Sequence, residues 1–224
     1  MKKIIVLVFI LAVTPLFAQH VDLAPELLDE LSTLNFNDDD IMEKLNDYYL
    51  RGADLGATFQ HGETLLMKAC YSAKPEPVKY LLDKGLNPNS MFDDGSGNPL
   101  TIAIGNENPE IVRLLLAAGA DVNINMNSTT VLHELCFFKS TVKRTEILKD
   151  LIAAKADVNR LNVAGYTPLI VAVLNDNKEY LKILISAGAD VNLSQASDGK
   201  TALKIALEKK DKDVISILKK AGAK

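Results

Sequence analysis

The chain has 224 residues, of which 48% are hydrophobic and 24% are charged. This composition is typical of a folded chain rather than a disordered one, and the length allows a sizeable core. The formal net charge is −4, and the lysines and arginines form no basic stripe. A nucleic-acid backbone or an anionic membrane surface is therefore not expected as the partner.

Residues 1–18 have the three parts of a secretory signal peptide. Lys2 and Lys3 supply the positive start, the apolar run 4–11 supplies the core, and Ala18 offers a small residue for cleavage. A membrane anchor is the alternative, but the run is shorter than the roughly 20 residues that a spanning helix needs. We expect a mature protein in the periplasm or outside the cell, without membrane insertion.

The next stretch, residues 23–56, predicts two short helices that form a degenerate first unit. Their apolar residues recur at helical spacing: Pro25, Leu27, Leu28, Leu31 and Leu34 in the first, then Ile41, Leu45 and Tyr48 or Tyr49 in the second. The run Asp38–Asp40 precedes the second helix. Carboxylates favour the positive end of a helix, so this run is predicted to cap it rather than to bind calcium.

Two short motifs then recur along the chain. Copies of a Gly-Ala-Asp-Val-Asn segment begin at Gly52, Gly85, Gly119, Lys155, Gly188 and Gly222. Copies of a Thr-Pro-Leu segment begin at Thr64, Asn98, Thr130, Thr167 and Thr201. The first motif recurs every 33 to 36 residues. This period, together with the two markers, resembles the ankyrin repeat.

The resemblance covers nearly all of the chain after the signal peptide. It implies an all-α repeat solenoid of helix-turn-helix units with β-hairpin loops, in a single domain of residues 19–224. We count about six units, including degenerate caps at both ends. Their approximate bounds are 23–56, 57–89, 90–123, 124–159, 160–192 and 193–224.

The residues of the third unit agree with this fold. Leu100, Ala103 and Ile104 lie at i, i+3 and i+4, which places one apolar stripe on the first helix. Asn108 is a good N-cap for the second helix, and Gly119 follows its end, where a left-handed residue is favoured. Neither helix can cover its apolar stripe alone, so neighbouring units must stack.

Two departures from the repeat pattern occur near the middle of the chain. Lys155 stands where the other copies have Gly, and the resemblance implies a left-handed backbone there. The fourth unit carries four extra residues within 138–145, which bring Lys139, Lys143 and Arg144 into an acidic molecule. A tolerated loop insertion is the favoured interpretation, and a secondary contact site is the alternative.

The residue types that carry catalysis or hold metals are few and scattered. Cys70 and Cys136 occupy equivalent positions two units apart, which implies a separation near 20 Å and free thiols. The histidines are His20, His61 and His133, and none is spaced for a nucleophile-base pair or a metal cage. The resemblance gives His133 a structural hydrogen bond between units. No catalytic residue, metal or cofactor is expected.

The resemblance implies that a protein partner binds the hairpin tips and the exposed side of the first helices. Candidate partner-binding residues at these positions are Phe59, His61, Tyr71, Phe92, Asp93, Asp94, Met126, Phe137, Tyr166 and Leu174. Aromatic side chains are common anchors of protein interfaces. The run from Asp93 to Asn98 is predicted to be a hairpin tip lengthened by one residue, rather than a calcium loop.

These features predict a monomeric, non-enzymatic protein–protein interaction module in the periplasm or the extracellular space. The alternative within this picture is an inhibitor or immunity protein that blocks an exported enzyme or toxin. A hydrolase or metal-dependent enzyme is the rival class. It would need a deep polar pocket with a titrating pair, which the sequence does not indicate.

Overall fold

The computed structural model describes residues 25–127, 129–193 and 199–224, so the expected signal peptide lies outside the described residues. Within these ranges the chain forms twelve α-helices, one short 3-10 turn at Gln60–Gly62 and no strands. The helices are α1 Pro25–Ser32, α2 Ile41–Leu50, α3 Leu65–Tyr71, α4 Pro75–Asp83, α5 Pro99–Gly105, α6 Pro109–Ala117, α7 Val131–Phe137, α8 Val142–Ala153, α9 Pro168–Leu174, α10 Lys178–Ser186, α11 Ala202–Lys209 and α12 Lys212–Lys220. None of the described helices is long and apolar enough to cross a membrane.

Successive helices pair into six units, and this confirms the all-helical repeat architecture. In the third unit Leu100, Ala103 and Leu115 are fully buried, so the stripes of α5 and α6 face neighbouring helices. Burial of this kind runs through every pair and forms one continuous core. In the described parts of the loops expected as β-hairpins, the pairing consists of isolated bridges, such as Thr58 with Thr64.

Side-chain hydrogen bonds define the starts of several helices, and for α6 the start and the end lie where the sequence predicts. Thr64, Asn98 and Thr167 each accept a hydrogen bond from the amide three residues ahead and cap α3, α5 and α9. Asn108 caps α6 in the same way, with an O···N distance of 3.1 Å. Gly119 follows α6 with φ +88°, which confirms the left-handed end.

Asparagine side chains connect each hairpin to the next unit. The Asn89 side-chain amide donates to the Gly119 carbonyl at 3.0 Å, and its Oδ1 accepts from the Asp121 amide at 2.7 Å. Asn123 and Asn192 make the same pair of bonds to the units that follow them. Each bridge satisfies backbone groups left over at a helix end and sets the spacing of adjacent units.

The acidic run before α2 differs from the expected cap. Asp40 occupies the N-cap position of α2, but its side chain makes no capping hydrogen bond. Asp38 and Asp40 instead form ion pairs with Lys44, at 2.8 and 2.9 Å. The carboxylates are therefore held by a cation one turn into the helix.

The insertion in the fourth unit is only partly a loop: residues 138–141 link the two helices, whereas residues 142–145 form the first turn of α8, which the interpretation as a loop insertion did not expect. Helix α8 begins at Val142 and has 12 residues, whereas α4, α6 and α10 have 9. The corresponding turns of four other units contain a left-handed residue: Ala73, Glu107, Asp176 and Lys210. Between α7 and α8 no residue has positive φ, and Thr141 at the end of the turn is extended. The extra residues replace a tight turn by an extended link and one more helical turn.

Side chains of the insertion bind both neighbouring units. The Arg144 guanidinium lies 3.2 Å from the Glu107 carboxylate of the third unit and 4.8 Å from the centre of the Phe138 ring. The Thr145 hydroxyl donates to the Glu179 carboxylate of the fifth unit at 3.0 Å. Three consecutive units are therefore joined at this point.

Both cysteines are buried and free, as their register predicts. Burial raises the pKa of the Cys70 thiol to about 12. Burial also raises the pKa of the Cys136 thiol. Thiolate chemistry at either position is therefore disfavoured in the folded protein.

Lys155 has φ +70°, which confirms the left-handed backbone expected at this position. A non-glycine residue there is strained, so Lys155→Gly should raise the free energy of unfolding by about 0.5 to 1 kcal/mol. Urea denaturation measures the change. The matched control is Lys149→Gly, at an exposed position inside α8, which should lower stability by about 1 kcal/mol. An unchanged or lower midpoint for Lys155→Gly would show that the strain is absent.

Candidate functional site

Two clefts on the first-helix side of the solenoid contain most of the predicted partner-binding residues. The N-terminal cleft lies between the second and third units and has a volume of about 310 Å³. Its lining residues are His61, Tyr71, Phe92, Asp93, Asp94 and Ser96. The structure therefore brings together five of the residues that the sequence analysis selected.

Backbone contacts between adjacent loops build the N-terminal cleft. The Asp93 amide donates to the His61 carbonyl at 2.9 Å and joins the loops of the second and third units. Gly62 is required at this contact, because a Cβ there would lie 2.6 Å from Asp93 Oδ1. His61 has φ +62°, so its exposed ring is held at the rim by a strained turn.

The loop of the third unit is the tight tip that the sequence predicts. The Phe92 amide donates to the Gly97 carbonyl at 3.1 Å, and the Gly95 amide donates to the Phe92 carbonyl at 2.9 Å. Hydrogen bonds from Ser96 lower the pKa of the Asp94 carboxyl below its ordinary value, so it stays ionised even in mild acid. Asp93 and Asp94 are both exposed at the cleft rim.

The C-terminal cleft lies between the fourth and fifth units and has a volume of about 350 Å³. Its lining residues are Thr129, His133, Glu134, Phe137, Asn162, Tyr166, Val171, Leu174 and Asn175. Three of the predicted partner-binding residues, Phe137, Tyr166 and Leu174, share this cleft. Most of the surface that lines it is apolar.

Phe137 and Glu134 give the C-terminal cleft its chemical character. Phe137 is 64% exposed, and its ring lies edge-on to that of Phe138, with 5.8 Å between centroids. Glu134 lies one helical turn earlier and is half-buried, and burial raises the pKa of its carboxyl. The cleft thus combines an exposed aromatic surface with a partly desolvated acid.

His133 holds the floor of the C-terminal cleft and makes the expected bonds between units. Its Nε2 lies 3.1 Å from the Arg160 carbonyl and 3.0 Å from the Tyr166 carbonyl, so this nitrogen donates. Its Nδ1 accepts from the Thr130 hydroxyl at 2.9 Å. Burial lowers the pKa of His133, so the ring is neutral at neutral pH, and it fixes the loop that carries Tyr166.

Two predicted partner-binding residues lie outside both clefts. Met126 is 1% exposed and packs in the core, and its backbone pairs with that of Thr129. The expectation that Met126 contacts a partner is therefore wrong, because its side chain points inward from the loop. Phe59 lines a separate cleft of about 500 Å³ beside α1, where the Lys68 ammonium lies 5.7 Å from its ring.

Sequence reasoning missed Glu134 and Phe138. Glu134 precedes Phe137 by three residues on α7, so helical spacing alone places both on one face. Phe138 is 42% exposed and follows α7 in the insertion, whose path the repeat pattern does not specify. Within the described ranges, no group of three or more His, Cys, Asp or Glu side chains converges to hold a metal ion.

Comparison with known proteins gives one family. The family model described as "Ankyrin repeats (3 copies)" matches residues 19–126 and 130–224. A protein described as ankyrin repeat protein YahD of Escherichia coli is 28% identical over 189 residues, which cover 81% of this chain and 91% of that protein. A fowlpox virus protein described as ankyrin repeat protein FPV230 is 29% identical over 166 residues, covering 61% and 88%.

An L-asparaginase of Dirofilaria immitis is 32% identical over 149 residues, which cover 66% of this chain and 25% of the enzyme. The chain spans a quarter or less of the length of three of the curated relatives that it matches. Similarity of this extent concerns the repeats and carries no enzyme activity to this chain.

The burial of His133 predicts a loss of stability in mild acid. Burial lowers the pKa of His133 below its ordinary value of 6.5, so the unfolded chain binds the proton first as the pH falls. The stability present above pH 6.5 is therefore lost progressively below that value. Urea unfolding at about pH 7.5 and 5.5 should show a larger decrease for the native protein than for His133→Gln.

Glu134 titrates in both proteins, so its contribution cancels in this comparison. His61→Gln is the matched control, because it replaces an exposed ring that forms no hydrogen bond with the described residues, and the effect of His133→Gln should not appear in it. Equal pH dependence of the native protein and His133→Gln would contradict the assignment of a neutral, buried ring.

Proposed function

The chain belongs to the ankyrin-repeat family, and we propose that it is an exported interaction module that holds one protein partner across its two clefts. Ankyrin repeats imply a protein–protein interaction module, and the family is typically non-enzymatic. We add to this general role a location outside the cytoplasm and a specific binding face. The sequence of residues 1–18 supports the location, and the exposed aromatic side chains support the face.

The proposed binding face is supported by the residues at which the first helices of four units end. Helices α3, α5, α7 and α9 end at Tyr71, Gly105, Phe137 and Leu174. Tyr71 is 54% exposed and Phe137 is 64% exposed. Large exposed aromatic side chains contribute little to folding and are favoured at protein interfaces.

The loops opposite this row complete the face. Phe92 and Tyr166 are half-buried and pack against the core, so each presents only part of its ring to the cleft. Their backbones are fixed by the loop bonds and by His133. A partner would therefore meet rigid walls, which reduces the entropy lost on binding.

The inhibitor alternative uses the same face. It differs in that the partner would be an enzyme or toxin whose active site is covered in the complex. Loss of the partner's activity at a one-to-one ratio distinguishes this alternative from a module that only holds its partner.

Truncation of the exposed aromatics should weaken binding without unfolding the protein. Tyr71→Ala and Phe137→Ala should each reduce affinity for the captured partner by about 1 to 3 kcal/mol, with less than about 1 kcal/mol change in stability. The core control is Leu115→Ala, which removes a fully buried side chain and should cost about 2 to 5 kcal/mol of stability. Titration calorimetry and urea denaturation measure the two effects. Undiminished partner binding by both aromatic variants would refute the proposed face.

Export predicts a defined mature N-terminus. Mass spectrometry of native protein from the periplasm or the medium should find a chain that begins at Gln19. The matched control is the variant Ala18→Arg, in which a large charged residue replaces the small one at the cleavage site. This variant should not be cleaved and should keep Met1. Recovery of native protein with an intact Met1 would contradict the proposed export.

A further inference from the structure

Each of the two clefts contains carboxylates that form no ion pair with a lysine or arginine of the described residues, although the His61 ring interacts electrostatically with Asp94. Asp93 and Asp94 lie at the rim of the N-terminal cleft, and Glu134 lines the C-terminal cleft. The ion pairs of the described residues use other acids. No lysine or arginine of the described chain thus neutralises these three side chains.

Acids close to the clefts, by contrast, are neutralised within the protein. Glu63, just before α3, forms an ion pair with Lys68 at 3.2 Å. Asp176, just after α9, forms one with Lys209. Among the acids at or beside the two clefts, Asp93, Asp94 and Glu134 are therefore the ones that form no ion pair with the described residues.

Among these three unpaired acids, Glu134 says most about the chemistry of a bound partner. It is half-buried beside Phe137 and Leu174, and burial alone raises the pKa of its carboxyl. A partly desolvated carboxylate is unfavourable unless a hydrogen-bond donor or a cation reaches it. None of the described residues supplies either one, so a bound partner that does so gains both the ion pair and the contact with the apolar wall.

Aromatic rings next to the acids favour the same kind of occupant. Tyr71 lies in one cleft with Asp93 and Asp94, and Phe137 lies in the other with Glu134. Lysine and arginine have apolar stems and cationic ends, and their cations are attracted to aromatic faces. An acid beside an exposed ring is therefore complementary to one long basic side chain.

We propose that each cleft takes one lysine or arginine side chain from a single extended segment of the partner protein. The inference rests on the proposed function, since it specifies the partner chemistry of the same face. The clefts lie two units apart, which corresponds to about 20 Å for helices packed 8 to 10 Å apart. An extended chain rises about 3.3 Å per residue, so the two basic residues are separated by about six positions.

Synthetic fluorescein-labelled peptides test this occupant directly. The first peptide carries two Arg-Leu pairs, with the arginines six positions apart and Gly-Ser residues between them. In the second peptide glutamine replaces both arginines, and in the third the arginines are two positions apart. Fluorescence anisotropy with the full protein at low salt should give at least tenfold tighter binding of the first peptide than of either other.

Charge-neutralising variants locate the binding. Glu134→Gln and the double variant Asp93→Asn with Asp94→Asn should each remove most of the tenfold preference for arginine. The matched control is Glu110→Gln, an exposed acid on α6 that lies outside both clefts, and it should keep the preference. Urea midpoints near that of the native protein confirm that each variant is folded.

Equal binding of the arginine and glutamine peptides, or no binding of either, would overturn this inference. So would a preference that survives both cleft variants. A different result would refute the proposed function. In that case the captured partner would still bind both Tyr71→Ala and Phe137→Ala. If the partner no longer binds Phe137→Ala but still binds Glu134→Gln, the proposed binding face is supported and the proposed basic segment is refuted.

Discussion

The structure depends on one constraint, which is that no helix pair can bury its own apolar stripe. Each unit must therefore be held at a fixed distance from the next, and asparagine side chains supply that contact at one edge of the solenoid. Asn89 and Asn123 each bond to both a carbonyl and an amide of the following unit. His133 does the equivalent between the loops of the fourth and fifth units. The loops that line the two clefts are joined across unit boundaries as well, by the Asp93 amide to the His61 carbonyl in one cleft and by His133 in the other.

The repeated parts of the fold could be predicted from the sequence because each is determined within one unit or between equivalent positions. The cap at Asn108, the left-handed Lys155 and the bonding of His133 all follow from the recurring motifs. The helical insertion and the inward-facing Met126 did not follow. Their conformations depend on contacts with neighbouring units, for which a repeat pattern gives no spacing.

The candidate residues were predicted individually, but their division into two clefts was not. Tyr71 and Phe92 come together only because two loops are bonded side by side, and Phe137 meets Tyr166 across a unit boundary. A search for aromatic anchors also passed over Glu134, although its spacing from Phe137 was visible. Glu134 stands out because it is partly buried and forms no ion pair with the described residues. Both properties belong to the folded surface and not to the residue type.

The insertion changes how the array can open. A solenoid with only nearest-neighbour contacts loses its terminal units first and frays inward. Here Thr141 and Arg144 hold Glu107 of the third unit, while Thr145 and the carbonyl of Phe138 hold Glu179 and Asn177 of the fifth. These bonds strengthen the contacts of the fourth unit with both of its neighbours, so we expect fraying from either end to slow there. The C-terminal cleft lies at one of these two strengthened contacts, between the fourth and fifth units, so it is expected to keep its shape while the ends of the molecule fray.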